Sequence, residues 1–143
     1  MRQPGRARPG QGRWAAGLLS AALLSGCGPP AEDPAAEAAR DPNAPGVFEV
    51  GPNRYEAVVV AFEGGFDPSE MRFPVGAEVS FRVRSVDLVH GFLIEGTGIE
   101  FEIDPIEPGL ATHTFEEAGE YDLLCHIYCG GGHPAMLGTV IVE

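Results

Sequence analysis

"EYDLLCHIYCGGGHPAMLGTVIV", residues 120–142, reads as a strand, a tight loop and a second strand. In "EYDLLCH" apolar and polar positions alternate, which is the period of a half-buried strand. That period sets Tyr121, Leu123 and Cys125 on one face, with Asp122, Leu124 and His126 on the other. Cys125 therefore points with the apolar side and His126 away from it. Gly130, Gly131 and Gly132 then allow a tight loop, because glycine tolerates dihedrals that other residues do not. The loop carries Cys129, His133 and Met136 before "LGTVIV" resumes as a strand.

Upstream segments repeat the strand signal. "EVSFRVR" (residues 78–84) alternates strictly, with Val79, Phe81 and Val83 on one face and Ser80, Arg82 and Arg84 on the other. "AVVVAF" (57–62), "LVHGFLIEG" (88–96), "FEID" (101–104) and "ATHTF" (111–115) are further strand candidates. Turn residues separate them: Pro74-Val75-Gly76, Gly96-Thr97-Gly98, Pro108-Gly109 and Ala118-Gly119. No stretch of helical period is long enough to compete. Short strands at near-regular spacing predict an all-β sandwich of two sheets.

The amino-terminal part reads as an address. Four of the nine arginines fall in the first thirteen residues, and an apolar run of eleven follows, "WAAGLLSAALL" (14–24). That run is too short to span a bilayer, which needs about 20 residues, and fits a secretory signal. "LSGC", ending at Cys27, is similar to the bacterial lipobox, in which the chain is cut before a cysteine that then carries lipid. The expectation is a signal peptide over 1–26, a lipidated Cys27 with a Pro-, Ala- and acid-rich tether over 27–46, and one folded domain over 47–143. From Cys27 onward the chain keeps five arginines, no lysine and all 21 acidic residues, a net charge of −16. Such a surface repels nucleic acid and attracts basic partners.

The loop spacing is C-x3-C-x3-H-x2-M. A disulfide between Cys125 and Cys129 is one reading in a secreted domain, but it closes a very small loop and leaves His133 and Met136 unexplained. Zinc takes cysteine and histidine and has little use for a thioether. Copper takes thiolate, imidazole and a weak axial methionine, and so accounts for more of the set. Two thiolates four residues apart can bridge two coppers, each then taking one histidine. The second histidine would come from His90, His113 or His126.

With "FPVGAEVSFRVRSVDLVHGF" upstream and "GEYDLLCHIYCGGGHPAMLGTVIV" downstream, the chain resembles subunit II of haem–copper cytochrome c oxidases, and more narrowly the small subunits of the b-type branch. The resemblance runs from about Ala57 to Glu143. It implies a cupredoxin-like Greek-key β-sandwich whose C-terminal loop holds a dinuclear copper centre, CuA. On it, Cys125 and Cys129 would bridge the coppers and His90 and His133 would each cap one. Met136 would be the weak axial ligand on one copper and the backbone carbonyl of Ile127 on the other. His113 would be a strand-surface residue without metal, His126 a solvated neighbour, and Phe92 and Tyr128 packing residues beside the site. Asp87 would hydrogen-bond near the His90 loop or cap a turn.

Three departures from the family pattern stand out. Ile127 sits where many relatives have a glutamate that helps to bind magnesium. No tryptophan follows Trp14, so the family's tryptophan patch for receiving electrons is missing. A lipid would replace transmembrane helices. The implied function is an electron-transfer subunit, non-catalytic itself. It would accept electrons from cytochrome c or a small copper protein and pass them to haem in oxidase subunit I, outside the cytoplasm at a bacterial membrane. A free-standing CuA lipoprotein, acting as electron carrier or copper-binding protein, is the alternative that the anchor keeps open. With so acidic a chain the donor is expected to be basic, and Asp87, Glu95 and Asp122 are the expected docking acids.

Overall fold

A computed structural model describes residues 41–143. The signal segment, Cys27 and the tether as far as residue 40 lie outside the described residues.

Among the described residues, ten strands build two sheets. They are β1 (Gly46–Gly51), β2 (Arg54–Phe62), β3 (Gly65–Asp67), β4 (Glu70–Phe73), β5 (Ala77–Ser85), β6 (His90–Ile94), β7 (Ile99–Ile103), β8 (Gly109–Phe115), β9 (Gly119–Leu124) and β10 (Leu137–Val142). One sheet runs β1-β2-β5-β8, with β3 paired to β2; the other runs β4-β10-β9-β6-β7. β2 pairs parallel to β5, and β4 parallel to β10. The remaining ladders are antiparallel.

The alternation in β5 decides which face meets the other sheet. Ala77, Val79, Phe81, Val83 and Ser85 are buried, while Glu78 and Ser80 between them are exposed. From the other sheet, Phe92 and Ile94 on β6, Leu123 on β9 and Cys125 just beyond it join the same core. An aromatic cluster fills the space between sheets, with Phe73 stacked on Phe115 at 5.8 Å and Phe81 against Phe92 at 6.0 Å. Each such ring contributes about 1.5–3 kcal/mol through burial. Phe92 is thus a core residue with no exposed surface.

The strand candidates hold, with shifts at their ends. β6 starts only at His90, because the β5–β6 connection is tied into a turn. There the Ser85 hydroxyl donates to the Leu88 carbonyl, and the Asp87 backbone N–H donates to the Ser85 hydroxyl at 3.3 Å. β9 stops at Leu124, so Cys125 and His126 lie just past the ladder. β1, β3 and β4 are additions that the sequence pattern did not suggest.

This topology brings four connections to one end of the sandwich. His90 pairs with Ile103, and Leu124 with Leu137. The start of β6, the end of β7, the β9–β10 loop and the β2–β3 turn therefore share that end. Glu95, at the far end of β6, does not.

Candidate metal centre

The β9–β10 loop closes on its own ladder: the Cys125 N–H donates to the Met136 carbonyl at 3.3 Å. Within it, Gly130 takes a φ of +112°, a conformation that favours glycine. A single 3₁₀ turn, His133–Ala135, returns the chain toward the core. Met136 follows with 1% of its surface exposed.

The two cysteines are buried, free, and 3.5 Å apart at sulfur. Cys129 Sγ lies 3.1 Å from Met136 Sδ and 3.6 Å from His133 Nδ1. The Cys125 thiol donates to the Ile127 carbonyl at 3.1 Å. The Gly91 N–H donates to Cys125 Sγ at 3.2 Å. His90 completes the cluster, with its ligand nitrogen and both sulfurs within 4.8 Å of one another. All six residues singled out in the domain, His90, Cys125, Ile127, Cys129, His133 and Met136, are therefore brought together. Cys27 lies outside the described residues.

His90 is fully buried, and its Nε2–H donates to Asp87 Oδ1 at 2.6 Å. With a carboxylate as partner Nε2 carries a proton, so in the neutral ring the lone pair is on Nδ1, the arrangement of a metal-ligating imidazole. Nδ1 is buried and has no hydrogen-bond partner. An orphaned buried acceptor costs about 1–3 kcal/mol, and a cation beside the sulfurs would remove that cost. Asp87 is fixed in turn. Burial pushes its carboxyl up, but hydrogen bonds from His90 and from the backbone N–H groups of Glu63 and Leu88 outweigh this and hold it below the usual range.

Burial, above all, pushes the Cys129 thiol up to about 11, and Cys125 beside it adds to the effect. Without metal Cys129 is held as a thiol, and a metal must displace its proton. Two buried sulfurs, a thioether and a bare imidazole nitrogen, with a carbonyl oxygen beside them, form a largely soft donor set that fits copper.

Four expectations need correction. His126 is not solvated. Its side chain is 18% exposed and its Nε2 stands 3.8 Å from Glu100. It rests on Gly91, where an added Cβ would come within 2.5 Å of its Nδ1. Tyr128 does not pack into the domain: it is 81% exposed, its ring 5.8 Å from the His133 ring. Asp87 is no free docking acid, because both its carboxylate oxygens are engaged. Glu95 follows the last residue of β6, at the end opposite to His90, so it does not flank the cluster. His113 sits on β8 in the other sheet, edge-on to Phe115 at 4.7 Å.

Sequence reasoning missed Glu63 and Gly91. Glu63 accepts from the Gly132 N–H at a separation of 69 residues, and no local pattern marks it. Gly91 carries a weak signal, a glycine inside a strand, which often marks a close approach of backbone.

A cupredoxin-like sandwich carries a buried cluster of two cysteines from its last loop and His90 from β6 that could hold a metal ion. The chain belongs to the cytochrome c oxidase subunit 2 family. It is 43% identical over 97 residues to a cytochrome c oxidase subunit 2 of Thermus thermophilus, covering 68% of this chain and 72% of that protein. A second subunit 2 from the same species also matches at 43% over 97 residues, and there the chain spans 58% of the relative's length. A chain of a heme-copper terminal oxidase dimer solved by cryo-EM superposes with a TM-score of 0.68 at 37% identity, over 72% of this chain and 74% of that one. No family model matches the chain.

Proposed function

We propose that this protein is the electron-accepting subunit of a haem–copper terminal oxidase, built around a dinuclear copper centre. Cys125, Cys129, His90, His133 and Met136, with the Ile127 carbonyl, would hold the copper. The observation that carries this reading is a fully buried His90 whose Nδ1 has no hydrogen-bond partner, grouped within 4.8 Å of two buried free thiols. The copper pair, when bound, supplies a site that shares one electron over two metals.

The chain's own residues do the rest. The β6 ladder holds His90, and β9 ends one residue before Cys125, so both are anchored to rigid elements, which limits movement when charge changes. Asp87 fixes the imidazole tautomer and orientation. The aromatic core excludes water behind the sulfurs. Tyr128, exposed beside His133, and the β5–β6 turn with Val86, Leu88 and Val89 exposed give the metal end an apolar surface. Glu100 and Glu102, exposed on β7, place negative charge near it: Glu102 pairs with Gly91, against which His126 rests. A basic donor, a cytochrome c or a small copper protein, suits that combination. Electron-transfer encounters are small and short-lived, so charge can set their rate.

The leader, lipidated Cys27 and tether would hold the domain at a membrane surface outside the cytoplasm, over the haem-bearing subunit. "LSGC" also supports a second reading, a free-standing CuA lipoprotein. Purification from membranes separates the two. Co-elution with a haem-bearing subunit, and reduction of its haem through this chain, is the expected result. Isolation of the copper-loaded chain alone, at full yield and without haem, would favour the free-standing form.

A further inference from the structure

Glu63 and Gly64 form the turn between β2 and β3. The Glu63 N–H donates to Asp87 Oδ2 at 2.6 Å, and the other oxygen of Asp87 orients His90. The Glu63 carboxylate reaches the opposite arm of the site, where Oε1 accepts from the Gly132 N–H at 3.3 Å. Gly132 directly precedes His133. The same oxygen lines the rest of the glycine run: an added Cβ at Gly130 or Gly131 would stand 3.1 or 3.7 Å from it. At Gly132 an added Cβ would come within 2.6 Å of the Gly64 nitrogen and 2.9 Å of Glu63 Cγ. The glycine run therefore lies directly on the β2–β3 turn, with Glu63 as its polar contact.

We propose that Glu63 is a positioning residue for the metal centre, clamping the loop that carries His133 to the turn that carries His90. The proposal rests on the copper reading given above. His90 has Asp87 to fix its ring. Among the described residues, the His133 ring has only the soft contact to Cys129 at 3.6 Å and the exposed Tyr128 ring. Its position is set instead through its backbone, which closes a local turn with the His133 N–H donating to the Gly130 carbonyl at 3.2 Å and the Ala135 N–H to the Gly132 carbonyl at 2.9 Å. Those bonds shape the turn but do not tie it to the rest of the domain. Glu63 supplies, through its carboxylate, an acceptor from the β2–β3 turn one residue before His133. Because its own N–H is tied to Asp87, a shift in either arm is felt by the other.

The test uses the full-length protein with Glu63→Ala and Glu63→Gln, the second keeping an acceptor oxygen. In the metal-free, reduced state, hydrogen exchange at the Gly132 amide is compared with that at Phe81 in the core. In the loaded state, copper loss to a chelator and the absorption spectrum are followed. Outer partners of ligands typically govern metal affinity by tenfold or more, so Glu63→Ala should speed both Gly132 exchange and copper loss roughly tenfold, with Glu63→Gln within about twofold of the parent. Phe81 exchange should stay unchanged. Equal Gly132 exchange in all three proteins overturns the proposal. So does a Glu63→Gln protein as impaired as Glu63→Ala, since charge and not the accepted hydrogen bond would then matter. The exchange measurement needs no metal. Loss of Gly132 protection in Glu63→Ala, in a chain whose parent binds no copper, would uphold the clamp and refute the copper reading.

Discussion

His90 and His133 reach the same pair of sulfurs by different routes. His90 opens a strand, has no exposed surface, and is tied at Nε2 to Asp87. His133 opens a single 3₁₀ turn after three glycines, is half-buried, and carries Tyr128 beside it. One arm is held by tertiary structure from its ring outward; the other is held through backbone contacts to the β2–β3 turn. The difference teaches that a site can be half rigid scaffold and half adaptable loop. The buried arm fixes geometry, while the other arm lies beside the exposed Tyr128.

The comparison can be broken most severely at the sulfurs, which both arms share. Cys125→Ser or Cys129→Ser should abolish the two-copper centre, leaving at most one copper per chain by metal analysis. Next in size is the frame beneath the buried arm. Phe81→Ala should cost about 3–5 kcal/mol in denaturant unfolding, because the ring sits in the aromatic cluster with 1% exposure. Asp87→Asn then sharpens the contrast between arms. It should weaken copper binding roughly tenfold or more through His90, measured by competition with a chelator, whereas Tyr128→Leu beside His133 should leave affinity unchanged. Smallest is Met136→Leu, which should keep both coppers and shift the reduction potential, as expected for a weak axial thioether.

A pH prediction follows from Cys129. Its thiol, at 9.0 in an unstructured chain, is raised to about 11 in the fold. The folded state then holds its proton more tightly than the unfolded state does. The corresponding stability of the metal-free, reduced protein is fully present below about pH 9 and is lost as pH rises through about 11. Urea unfolding at a series of pH values in that window should show the decline, and Cys129→Ser should lessen it.

The legibility of the sequence differs between the same two arms. Cys125, Cys129, His133 and Met136 fall within twelve residues, so spacing alone announced them. β5 and β9 were readable because their alternation is strict, and β10 because an apolar run follows the loop directly. His90 was chosen from three histidines by resemblance, since nothing local separates it from His113. The parallel pairings of β2 with β5 and β4 with β10 join distant segments, which no local period encodes. β4 was hidden by its length of four residues between prolines. His126 was misjudged because period two correctly put it on the outer face, but Gly91 leaves a hollow there that shelters its ring. Glu63 was invisible for a similar reason: its partners are Asp87 and Gly132, 24 and 69 residues away.

Copper titration of the reduced protein, followed by metal analysis and EPR, tests the central claim most directly. The account predicts saturation at about two coppers per chain and a mixed-valence signal from one electron shared between them. Saturation at one copper with a blue, single-site spectrum, or no copper bound beside intact free thiols, would contradict it.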